Sequence, residues 1–182
     1  FMTCRTTGYA MLMSSSPQEA MDLAAVAHLS AISGRYAFMH CFDGFRTSHE
    51  MQRIEALDYE DLRGLVDQEA LQAFRHQSLN PEHPTNRGNN VNPDIYFQLR
   101  EANNTDYANL PDVVEDYMAQ ISRLTGREYH LFNYYGAPDA QRVIVAMGSV
   151  SGCAQEVVNY LNARGEKVGF LPVSYTHLRA HE

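Results

Sequence analysis

Residues 36–50 read YAFMHCFDGFRTSHE, an apolar run that passes directly into a glycine-punctuated polar loop. The apolar half, residues 36–42, suits a strand buried inside a mainly parallel sheet, where both faces are covered and strict alternation is lost. In open α/β sheets the loop beyond the carboxyl end of such a strand is where ligands collect. The stretch therefore predicts an α/β fold and points to Asp43-Gly44-Phe45-Arg46 as the place to look for function.

The flanking sequence supports a strand–helix–strand unit. Residues 9–13 read as a short strand. Ser16-Pro17-Gln18-Glu19 is a helix start, with Ser16 as N-cap, Pro17 at the first helical position and Glu19 closing a capping box. The helix is expected to run through Met21, Leu23, Ala24, Ala27, His28 and Ile32 and to stop before Gly34. Beyond the loop, residues 53–57 read as a short edge strand, and Asp58 and Asp67 are placed to cap helices at 59–66 and 68–76. Residues 80–94, with three prolines, Gly88 and several asparagines, read as an irregular surface crossover. Residues 111–124 predict an amphipathic helix with Pro111 at its start, an apolar stripe of Val114, Met118, Ile121 and Leu124, and a stop at Thr125-Gly126. A second βαβ unit follows: a buried strand at 142–147, a turn at 148–152, a helix at 154–163 and a strand at 167–171. A domain boundary is expected near residues 125–129.

Composition narrows the function classes. With 45% apolar and 20% charged residues, the 182-residue chain is of ordinary globular type and long enough for a substantial core. Its net charge of −8 and lack of any basic run leave no footprint for nucleic acid. No apolar run approaches the roughly 20 residues of a membrane helix. Cys4, Cys41 and Cys153 are isolated, with no C-x-x-C pair, so zinc ribbons and cluster-binding loops are not encoded here. Reduced, buried thiols in a cytoplasmic protein are the expectation.

The candidate sites each have a structural alternative. Asp43 or Arg46 could shape a cofactor cleft or brace a neighbouring domain. Equally, the loop could be a plain turn in which Gly44 takes a special backbone angle, Asp43 binds loop amides and Arg46 pairs with a carboxylate. His40, His49, Glu50 and Asp43 match no metal-ligand spacing, and no metal site is expected. His28 reads as a buried helix histidine. The turn Gly148-Ser149-Val150-Ser151-Gly152-Cys153 opens a helix whose amides could meet an anion, but it is neither a P-loop nor a dinucleotide fingerprint. Cys153 lies near that helix start, where a thiol can become more acidic. Tyr96-Phe97 and Tyr134-Tyr135 read as core or interface aromatics.

The wording of residues 36–50, together with IEALDYED (54–61), LRGLVDQEALQAF (62–74), NPEHP (80–84), NPDIYF (92–97) and YYGAPD (134–139), resembles the pyruvate:ferredoxin (flavodoxin) oxidoreductases. The resemblance covers residues 6–171, departing at Cys41, where a second aromatic is usual, and at Pro17, where valine is usual. It implies oxidative decarboxylation of pyruvate to acetyl-CoA and carbon dioxide, with electrons passed to ferredoxin or flavodoxin. Implied with it are thiamine diphosphate, magnesium, iron–sulfur clusters, coenzyme A and a homodimer. Residues 1–125 would be the rear of a pyrimidine-binding domain and residues 126–172 the front of a transketolase-C-terminal-like domain. The family's activating glutamate and its substrate threonine and arginine would lie before Phe1, and its diphosphate motif and cluster cysteines after Glu182. No catalytic residue is therefore carried over, and the chain alone is expected to be an inactive internal fragment that binds none of these cofactors. Residues 173–182, VSYTHLRAHE, resemble a translated sequencing adapter and are set outside the native fold, His177 and His181 included. The rival reading is a non-catalytic α/β scaffold subunit of a 2-oxoacid oxidoreductase.

Overall fold

The computed structural model describes residues 1–84 and 90–176. Gly88, His177 and His181 lie outside the described residues. The elements in chain order are β1 (Ala10–Ser14), α1 (Pro17–Gly34), β2 (Phe38–Phe42), α2 (Tyr59–Leu65), α3 (Gln68–His76), α4 (Pro93–Ala102) and α5 (Asn104–Thr125). Then come β3 (Tyr135–Gly136), β4 (Arg142–Ala146), α6 (Val150–Asn162), β5 (Val168–Pro172) and β6 (Tyr175–Thr176). Among the described residues they form two small mixed sheets, ordered β2-β1-β6 and β3-β5-β4.

In the first sheet β1 and β2 are parallel, in register from Ala10↔Phe38 to Ser14↔Phe42, with α1 as the crossover. α1 buries Leu23, Val26, Ala27 and Leu29 against β1 and α5. α5 contributes Leu110, Val114, Met118 and Ile121 to the same core, whereas Leu124 stays exposed. Ser16 caps α1 as expected, its hydroxyl accepting the Glu19 amide at 3.2 Å. Arg35 ends it in the left-handed region (φ 51°). Asp58 and Asp67 cap α2 and α3 by accepting the amides of Glu60 and Ala70.

Several expectations need correction. β2 is not interior. It forms the free edge of its sheet, and Phe42 is 48% exposed. Residues 53–57 form no strand, because the backbone of Glu55 is paired with the side chain of Gln18 instead: Glu55 N–H donates to Oε1 at 2.7 Å and Gln18 Nε2 donates to the Glu55 carbonyl at 3.0 Å. α5 begins well before Pro111, which lies inside the helix. Pro111 forfeits one helical hydrogen bond, but the preceding turn is anchored by the fully buried Tyr107, whose hydroxyl donates to the Gly8 carbonyl at 3.0 Å. α4 begins at Pro93, inside the span 80–94 that reads as an irregular crossover, and continues through residues 95–102, for which no element is expected. His28 is exposed rather than buried, projecting from α1 beside the α2–α3 layer.

In the second sheet β4 and β5 are parallel from Arg142↔Val168 to Ala146↔Pro172, with α6 as the crossover, and β3 is antiparallel to β5. β4 is an exposed edge rather than a buried strand, with Val145 60% exposed. Gly126 (φ 74°) stops α5 as expected, its amide donating to the Ser122 carbonyl at 2.8 Å. Where the sequence reading sets residues 173–182 outside the fold, the described part pairs with β1 (Leu12↔Tyr175), and Tyr175 is buried in the first core.

Candidate functional site: a cleft at the carboxyl ends of β1 and β2

The carboxyl end of β1 runs through Ser14 and Ser15 into the first turn of α1, and the carboxyl end of β2 runs into Asp43–Glu50. These two segments and the start of α6 enclose a cleft of about 620 Å³. Arg46, Thr47, Glu50 and Gln52 form one wall, and Ser149 to Cys153 with Gln155 the other. The first turns of both α1 and α6 border it, so two partial positive charges face the same space.

The chain answers both with its own carboxylates. Glu19 turns back on its helix start, where Oε2 accepts from the Ser15 amide at 2.5 Å and the Ser15 hydroxyl at 2.6 Å. The capping box is thus closed one residue earlier than the sequence pattern suggests. Asp43 reaches across to the other unit, and its Oδ2 accepts the Ser149 amide at the start of α6. Gly148 makes this approach possible: it sits at φ 83°, and a Cβ there would lie 2.6 Å from Asp43 Oδ2 and 2.9 Å from Met13 Cε.

Of the sequence candidates, Asp43 and Arg46 therefore part company. Asp43 does not bind the amides of its own loop. Gly44 does not carry the special backbone angle either; Phe45 does, at φ 56°. Arg46 is 77% exposed and pairs with Glu50 Oε1 at 3.2 Å, an exposed pair of small energetic weight. The Thr47 hydroxyl in the same wall is buried without a hydrogen-bond partner. His49 stacks on Phe45 and bonds Ser48 through Nδ1 at 2.6 Å. Among the described residues no group of three or more His, Cys, Asp or Glu is placed to hold a metal ion. Cys153 is an exposed thiol on the cleft wall, whereas Cys4 and Cys41 are half-buried. Burial pushes the Cys41 thiol up.

His40 has a partner that the sequence did not reveal. Its Nε2 lies 2.6 Å from the hydroxyl of Ser14, which is fully buried at the end of β1. Burial, and then the nearby His28, hold the His40 imidazole below its usual range. The neutral ring and buried hydroxyl stitch β1 to β2 just beneath the cleft. Ser14 stands opposite Phe42 in the register, two residues beyond His40 and on the same face, and a parallel register across a helical crossover cannot be read from spacing along the chain.

No helix among the described residues is long and apolar enough to cross a membrane. The model for the family described as pyruvate flavodoxin/ferredoxin oxidoreductase, thiamine diphosphate-binding, matches residues 1–119. Curated relatives include the pyruvate-flavodoxin oxidoreductase of Enterobacter agglomerans, 66% identical over 93% of this chain and 14% of its own length. That of Klebsiella pneumoniae is 63% identical over 94% of this chain and 15% of its own length. The pyruvate:ferredoxin oxidoreductase of Moorella thermoacetica is 58% identical over the same shares. The chain thus spans about one seventh of the length of these relatives.

Proposed function

The chain belongs to the pyruvate flavodoxin/ferredoxin oxidoreductase, thiamine diphosphate-binding family, and from that premise we propose that it is part of an enzyme that oxidatively decarboxylates pyruvate. The products are acetyl-CoA and carbon dioxide, and the electrons pass to flavodoxin or ferredoxin. The observation that carries the reading is 66% identity, over 93% of the chain, to a protein named for that activity. Thiamine diphosphate supplies the electron sink that decarboxylation of a 2-oxoacid requires. Iron–sulfur clusters, magnesium and coenzyme A complete the parent enzyme in this reading, which we place in the cytoplasm as a homodimer.

The cleft's donor set does not fit a magnesium–diphosphate group. Glu19 and Asp43 already take the Ser15 and Ser149 amides, and the described residues offer no metal-binding cluster. No chemical step is assigned to these residues. The role proposed for Asp43 is a brace that holds the start of α6 against the carboxyl edge of the first sheet; Arg46 marks the rim of the same edge. The division proposed for the chain is residues 1–125 as the rear of the pyrimidine-binding domain, 126–172 as the front of the next domain, and 173–182 as a non-native tail. What supports the boundary near residue 125 is the family match to residues 1–119 and the helix stop at Gly126; the tail rests on the wording of residues 173–182.

Two measurements test the reading. A polypeptide of the relatives' full length that carries this segment is expected to reduce flavodoxin or ferredoxin in the presence of pyruvate and coenzyme A. Titration calorimetry of the 182-residue chain with thiamine diphosphate is expected to give no heat of binding. Micromolar binding would overturn the claim that the cofactor's ligands lie elsewhere. A full-length protein without activity would favour the scaffold reading.

A further inference from the structure

Among the described residues Asp22 is the one acidic side chain that is fully buried, and the proposed function leaves it without a role. It sits on α1, and its carboxylate gathers groups from its own helix and from residues 127 and 129. Arg127 donates from Nε to Oδ2 at 2.7 Å and from Nη2 to Oδ1 at 3.2 Å. Tyr129 donates its hydroxyl to Oδ2 at 2.6 Å. Gln18 donates from Nε2 to Oδ1 at 3.2 Å. Arg127 extends the network by donating from Nη1 to Glu55 Oε2 at 2.8 Å, and Gln18 holds the Glu55 backbone by both its amide and its carbonyl. The hydrogen bond to Asp22 raises the Arg127 guanidinium still further above its usual range, against the opposing effect of burial. Burial and the same carboxylate push the Tyr129 phenol up.

We propose that Asp22 is a positioning residue, a clasp that fixes both walls of the cleft from beneath. Residues 51–57 have no secondary structure of their own, and they continue the wall that carries Glu50 and Gln52. Residues 126–129 join α5 to the second unit, whose α6 forms the opposite wall. Neither segment has ladder hydrogen bonds to hold it; residues 127 and 129 bond the Asp22 carboxylate directly, and residue 55 reaches it through Gln18 and Arg127. Removing Arg127 would leave the Asp22 carboxylate buried and uncompensated, so breaking this pair costs more than the intact pair contributes beside an apolar substitute. The inference concerns the geometry of the cleft and holds whichever cofactor the parent enzyme uses.

Hydrogen exchange on the 182-residue chain, resolved to short peptides, tests it. Gln18→Ala is expected to speed exchange at the Glu55 amide at least tenfold and to leave residues 126–129 unchanged. Arg127→Lys, which keeps the charge but loses the planar fork, is expected to speed exchange at residues 126–129 by a similar factor. Asp22→Asn is expected to release both segments together while β4 and β5 keep their wild-type rates. If Asp22→Asn does not fold, the split between the other two variants still decides. An even rise across α1, β1 and α5 in any of the variants, or no rise at Glu55 and 126–129, would overturn the clasp and leave Asp22 as ordinary core support.

Discussion

The two sheets share a parallel βαβ unit and differ in how much covers them. Around β2-β1-β6, thirteen buried side chains from α1, α5, β1 and the segments that follow make one continuous core. Around β3-β5-β4 the corresponding cluster has four: Ala154, Val158, Val168 and Phe170. The strands themselves are equally apolar, as RVIVA in β4 and FMHCF in β2 show. The difference lies in the layer above them. α5 lies along α1 and adds its own buried side chains to the first core, whereas among the described residues α6 is the one helix that packs on the second sheet. A strand's composition therefore states its demand for cover, and the neighbouring elements decide whether that demand is met.

If this contrast is real, a large deletion in each core should behave differently. Phe170→Ala removes the largest buried side chain of the second cluster, at a cost of about 3–5 kcal/mol. With so few partners, β3, β4 and β5 should lose exchange protection while β1 and α5 keep theirs. Simultaneous loss in both sheets would show that the two units unfold as one. Leu23→Ala in the first core should cost about 2–5 kcal/mol. Its signature is a lower midpoint for the main thermal transition followed by circular dichroism.

The link between the units can be probed at Gly148. Gly148→Ala places a side chain at positive φ and against Asp43, and should cost about 1–3 kcal/mol. Asp43→Ala removes the contact from the other side, so the double variant should be less destabilised than the sum of the two. Strict additivity in urea melts would mean that the brace is absent in solution. A smaller effect, about 1 kcal/mol, is expected for Ser16→Ala, which uncaps α1.

The smallest is a pH effect at His40. Its pKa is lowered by folding, so its contribution is fully present above the unfolded value of about 6.5 and is lost as pH falls through the folded value. Urea midpoints taken on acidification should fall more steeply for the wild type than for His40→Gln. Parallel slopes would show that the Ser14–His40 contact carries no pH dependence.

Much of this was legible along the chain because it depends on near neighbours. Ser16, Asp58 and Asp67 cap helices through amides two or three residues away, and Gly126 stops α5 through local backbone geometry. The apolar stripe of Val114, Met118 and Ile121 follows from helical periodicity alone. What escaped depends on partners far off in sequence. Residues 53–57 look like a strand until Gln18 takes the backbone of Glu55, and Pro111 looks like a helix start until Tyr107 anchors the turn before it. The candidate loop was found, but the roles within it were not, because Asp43 answers an amide 106 residues away.

By itself, then, the sequence determined the family, the order of most elements, the caps and stops, and the loop that borders the cleft. These are set by local sterics, periodicity and long stretches of specific wording. Only the tertiary structure decided which strands are edges, which carboxylates serve the two helix starts at the cleft, and that Asp22 joins α1 to residues 127 and 129 and, through Arg127, to residue 55. Burial and pairing are properties of what a residue meets in space, and a linear pattern records the demand for a partner without naming it.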